Sequence, residues 1–114
     1  MKNTIRSLLI ISTLLLLVVT NLYAAGNSPV LERIQKSGQL VLGTSGDMPL
    51  MSEKLMTGEM AGFDIDMATA MAQSMGVDLV IKELPFAQLI PALEKGSVDI
   101  VLSNMTMTIE RNMR

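Results

Sequence analysis

The chain has 114 residues, with Lys+Arg 9 against Asp+Glu 11 and a formal net charge of −2. With no Trp, 3% aromatic residues and no basic excess, it lacks both the charge and the stacking platforms of a nucleic-acid binder. It has no Cys and no His, which removes disulfides, thiol chemistry, a lipid-bearing cysteine, the usual zinc ligands and a histidine general base.

Residues 1–25 read as a signal peptide. Lys2 and Arg6 form a positive start, residues 8–19 are apolar apart from Ser12 and Thr13, and Ala24, Ala25 and Gly26 are small. Cleavage after Ala24 places Leu22 at the −3 position, where a small residue is preferred. The alternative is an uncleaved anchor, but the apolar run is shorter than the ~20 residues a spanning helix needs. The remainder, residues 26–114, holds one small core. It is expected to be free in an extracytoplasmic compartment and not lipid-anchored.

Residues 28–38 read as a short amphipathic helix, with Ser28 as N-cap, Pro29 at the first helical position and Gly38 as stop. Leu31 and Ile34 are expected inside. Residues 39–44 form a first strand bounded by glycines. Thr44-Ser45-Gly46-Asp47 at its carboxyl end is either an ordinary polar turn or, through Ser45 and Asp47, part of a site. Residues 48–61 are irregular around Pro49, with a short hairpin between Lys54 and Met60. The clearest helix spans 62–75, with Asp64 and Asp66 matching its dipole and Gly76 ending it. Phe63, Met67, Met71 and Met75 recur every four residues and read as its core stripe, widened by Ile65, Ala68 and Ala72.

A second strand follows at 78–83, then Leu84-Pro85-Phe86 and a helix over 87–95. That helix is expected to put Leu89, Ile90 and Leu93 inside, with Pro91 tolerable in its first turn. The third strand starts near Val98. Its run Ile100-Val101-Leu102 reads as buried on both faces. Strand, helix, strand, helix, strand implies a parallel sheet, so three loops emerge on one edge. The last of these carries Ser103, Asn104 and Thr106, with Arg111 just beyond and Thr108 capping a final helix. Arg grips a carboxylate through two parallel hydrogen bonds. This edge is therefore expected to be half of a site for a small carboxylate-bearing solute. The competing readings are a solvated Arg111 and, for the 11 Met, a soft-metal surface. Met at helical spacing favours packing over metal.

Several segments together resemble the family-3 periplasmic solute-binding proteins of ABC amino-acid importers. They are Leu42-Gly43-Thr44-Ser45-Gly46-Asp47, Ala61-Gly62-Phe63-Asp64-Ile65-Asp66-Met67-Ala68, Leu89-Ile90-Pro91-Ala92-Leu93, Gly96-Ser97-Val98-Asp99 and Met105-Thr106-Met107-Thr108-Ile109-Glu110-Arg111. The resemblance implies an α/β, type II periplasmic-binding-protein-like fold with a parallel sheet and flanking helices, of which residues 26–114 are an incomplete first lobe. In the family two lobes close on the ligand like a hinged clamp. Arg111 matches the arginine that grips the ligand's α-carboxylate. Ser103 and Thr106 match its supporting positions, and Asn104 a small polar neighbour. Phe86 matches the aromatic that packs on the ligand, and Asp47 lies in the loop that commonly contacts it.

The family often has Asp-Tyr-Pro-Pro-Phe where this chain has Asp47-Met48-Pro49-Leu50-Met51, so both aromatics are replaced. The family also continues into a second lobe, so the chain reads as an N-terminal part, and a half clamp is expected to lack most of the binding free energy. The resemblance thus implies a monomeric receptor, not an enzyme. Such a receptor needs no cofactor or metal, takes an amino acid or organic acid, and partners an ABC permease in the inner membrane. The alternatives on the same fold are a periplasmic lyase and an extracellular sensor domain.

Overall fold

The computed structural model describes residues 28–113, so the expected leader over 1–25 lies outside the described residues. In chain order the elements are α1 (Pro29–Ser37), β1 (Gln39–Thr44), β2 (Asp47–Met48), β3 (Ser52–Lys54), β4 (Met60–Ala61) and α2 (Phe63–Met75). They are followed by β5 (Asp78–Glu83), α3 (Phe86–Glu94), β6 (Ile100–Val101) and α4 (Ile109–Asn112). The main sheet has the order β5-β1-β6 and is parallel throughout, with Leu42 opposite both Ile81 and Ile100. All three strands therefore end on the same edge.

Alternation along β1 assigns the two faces. Leu40 and Leu42 point to one side, where they pack with Ile34 of α1, with Ile65, Ala68 and Ala72 of α2, and with Leu79, Ile81 and Ile100. The opposite side receives α3. A Cβ on Gly43 would lie 3.3 Å from both Val98 methyls and 3.5 Å from Leu89. The missing side chain is what lets Leu89 and Val98, both fully buried, close on the strand. Each fully buried Leu contributes about 2 kcal/mol of hydrophobic stabilisation. Asp99 fastens the layers. Its carboxylate accepts the Val41 amide at 2.8 Å and pairs with Arg33 of α1 at 2.5 Å.

Helix ends follow the local chemistry. Gly38 takes φ 69° and donates its amide to Ile34 O at 2.9 Å, and Gly76 takes φ 67°. Both are left-handed stops that glycine adopts without penalty.

Several expectations need correction. Phe63, Met67 and Met71 are exposed, at 55%, 40% and 38%, and are not the core stripe of α2. That helix is apolar around most of its girth, so its periodicity offers two stripes. The smaller one, Ile65-Ala68-Ala72, wins because short side chains bring the helix axis nearer the sheet; Met75 alone of the four reaches the core. Leu31 and Leu93 are exposed as well. Ile34 is the residue α1 buries, and the inner line of α3 is Leu89-Ala92. Pro91 lies in the second turn of α3, which forgoes the amide bond that residue would have made.

The strand at 100–102 is not buried on both faces. β6 is a two-residue edge strand whose residues are half-buried, and β1 is the central strand. Finally, the segment read as irregular folds into an antiparallel sheet of order β2-β3-β4. It includes the expected hairpin, with Lys54 opposite Met60. Among the described residues no helix is long and apolar enough to cross a membrane.

Candidate functional site

The carboxyl edge of the parallel sheet gathers the expected site residues into two clusters. The first centres on Arg111. Thr108 caps α4 by accepting the Arg111 amide at 3.2 Å, which sets where the arginine side chain starts. The guanidinium then donates through Nη1 to Thr106 O at 2.6 Å and lies 5.6 Å from the centroid of the Phe86 ring. Phe86 is the first residue of α3, placed there because Pro85 ends the preceding extended segment. Phe86, Ile90, Pro91, Met105, Glu110 and Arg111 line an open cleft of about 350 Å³. That volume lies within the range of small-ligand sites. One delocalised cation beside an aromatic face and apolar walls can hold a carboxylate and pack an attached side chain.

The second cluster ties β1 to β6. Ser103 is buried, and its Oγ accepts the Ser45 amide at 3.1 Å and lies 2.6 Å from Ser45 Oγ. Ser45 Oγ in turn donates to the exposed Asp47 carboxylate. The Ser103 hydroxyl is thus engaged within the protein, and Ser45 is the link between Ser103 and Asp47. Thr106 meets Arg111 through its carbonyl, and its side chain is exposed. Asn104 is exposed and takes φ 45°.

Asp64 carries more than helix-dipole matching. It is 6% exposed, and its Oδ2 accepts the Asn104 amide at 3.2 Å. Local spacing carried no signal for this role, because i, i+3 and i+4 positions do not reveal a bond across 40 positions. With Met51, Met67, Ser103 and Met105, Asp64 and Asn104 line a smaller cleft of about 260 Å³. Among the described residues no group of three or more Asp, Glu, His or Cys could hold a metal ion.

Residues 40–114 match the sequence profile of the bacterial extracellular solute-binding proteins, family 3. The glutamine-binding protein of Geobacillus stearothermophilus is 38% identical over 85 residues, 71% of this chain and 32% of that protein. The cyclohexadienyl dehydratase of Pseudomonas aeruginosa is 36% identical over 81 residues, again 71% of this chain and 30% of that protein. Among solved structures, the arginine-bound form of domain 1 from TmArgBP is similar, with a TM-score of 0.69 at 37% identity. It covers 71% of this chain and 64% of that one. The chain thus spans about a third of the length of the curated relatives it matches.

Proposed function

Because the chain belongs to the bacterial extracellular solute-binding proteins of family 3, we propose that it supplies the first-lobe grip of a receptor for an amino acid or similar small carboxylate. The observation that carries this reading is Arg111 held between Thr106 O and the Phe86 ring at the mouth of an open cleft. Arg111 takes the ligand carboxylate, and Phe86 packs against the ligand's side chain. Ser103, Asn104 and Thr106 shape the loop between them, and Asp47 faces the ligand from the first-strand loop. Residues 1–25 direct export, the receptor acts as a soluble periplasmic monomer, and it hands its solute to an ABC permease in the inner membrane. Closure of a second lobe completes the clamp. The arginine-bound domain 1 of TmArgBP supports a first domain that keeps part of the grip by itself.

The test is thermal unfolding of the intact protein against the common amino acids and small organic acids. A ligand that binds only the folded state raises the melting temperature. Arg111→Ala should weaken that ligand by about 3 kcal/mol, on the order of a hundredfold, since a charge-assisted bidentate contact is lost. If no solute shifts the transition, or Arg111→Ala leaves the shift intact, the reading fails.

The dehydratase relative favours a second reading, a periplasmic enzyme of the lyase type. In that case Asp47 is the first-lobe carboxylate placed for proton transfer. Turnover of a bound acid that Asp47→Asn abolishes would favour it over the receptor.

A further inference from the structure

Two loops meet at the smaller cleft, the β2–β3 turn through Met51 and the loop after the third strand through Ser103, Asn104 and Met105. Both are bonded to the same turn of the same helix. Phe63 and Asp64, the first two residues of α2, donate their amides to Leu50 O at 3.0 Å and Met51 O at 2.9 Å. The Asp64 side chain accepts the Asn104 amide. Two of the four amides that a helix start leaves unpaired are thus used on one loop, while the side chain of the same residue holds the other.

Left-handed backbone falls at the same joint. Leu50 (φ 66°) and Asn104 (φ 45°) are the two non-glycine residues with positive φ among the described residues. Both belong to peptide units that α2 holds by hydrogen bonds. The joint is also too tight for a side chain at its centre, since a Cβ on Gly62 would lie 2.4 Å from Met51 O. Left-handed backbone at non-glycine residues persists where surrounding bonds over-determine it.

We infer that Asp64 is a positioning residue, which holds Asn104 in its left-handed conformation and so sets the 103–106 loop against Arg111 and Phe86. This rests on the receptor reading for what the loop binds, but not for what holds it. Asp64 is 6% exposed, and its Oδ2 is engaged by the Asn104 amide. The same residue joins the two loops mechanically. A change in the first-strand turn, where this chain has Met48-Pro49-Leu50-Met51, is thereby passed to the carboxylate-binding loop.

Two measurements on the intact protein test this. Amide hydrogen exchange without ligand, compared between wild type and Asp64→Ala, should rise at least tenfold at Asn104, while β1 amides keep their rates. A purely structural role for Asp64 would instead raise exchange throughout the sheet. Calorimetry with L-arginine and L-glutamine should show at least tenfold weaker binding in Asp64→Ala. Adding Asn104→Gly should restore most of it, because glycine enters φ near 45° without the steric penalty of a side chain. If Asp64→Ala does not fold, the isosteric Asp64→Asn is read the same way and should give a smaller local rise. Unchanged exchange at Asn104 overturns the inference, as does a loss of affinity that Asn104→Gly leaves unrepaired. If neither amino acid binds the wild type, the exchange measurement decides alone, and what fails is the choice of ligand, not the role of Asp64.

Discussion

At the scale of single residues, the candidate site is held by bonds that join distant parts of the sequence, and strain sits at Leu50. Leu50 has its side chain 84% exposed and its backbone at φ 66°. That conformation costs an L residue other than Asn, Asp or Gly about 1–2 kcal/mol, and Leu50 offsets almost none of it through burial. Leu50→Asn should therefore raise stability by about 0.5–1 kcal/mol, read as a higher urea midpoint at an unchanged slope. A lower midpoint would mean that the exposed leucine makes a contact that matters. Ser103, Asn104, Thr106 and Arg111 were nameable from a local pattern, a guanidinium and small polar groups just beyond an apolar strand, whereas Phe86 and Asp47 were named through the family resemblance. Ser103 differs in what its hydroxyl does. It is engaged by Ser45, a partner 58 positions away that local pattern does not disclose.

At the scale of elements, α2 shows how packing chooses among faces that periodicity leaves equal. Its Met and Phe line and its Ala and Ile line are both apolar, and the sheet accepts the shorter side chains. Its first turn is also the seat of the β2–β3 turn. Gly62→Ala should be costly, about 3 kcal/mol or more, since φ 121° and a 2.4 Å approach to Met51 O act together. Gly38→Ala is the control. Its φ of 69° is strained for alanine, but nothing lies within 4 Å of the added carbon, so the cost should stay at about 1 kcal/mol. Equal losses in the two variants, measured by thermal unfolding, would show that conformation alone matters at Gly62 and that the joint is loose.

At the scale of the whole molecule, one strand sets the order of stability. β1 is paired on both sides, packed by helices on both faces, and fastened through Val41 to the Asp99–Arg33 pair. β6 is paired over two residues, and the β2-β3-β4 sheet is built from strands of two or three. Native-state exchange should rank accordingly, with β1 amides slowest and those of β2–β4 fastest. Equal protection across the two sheets would argue that they open as one unit. The candidate site lies where these regimes meet, since β1 ends at Thr44, the small sheet begins at Asp47, and the arginine loop leaves β6.

The sequence alone determined the alternation of strands and helices, their glycine stops, the parallel sheet that such alternation implies, and the family whose motifs run from Leu42 to Arg111. These features are local, since hydrophobic period, capping and turn chemistry act over a few residues and are written within that span. Tertiary structure decided which face of α2 is inside, that β1 and not the 100–102 run is central, and that 48–61 folds as a small sheet. It also decided that Asp64 reaches Asn104. Each of these depends on what arrives from elsewhere in the chain to fill a volume or accept a hydrogen bond, and that is fixed only when the layers close on one another.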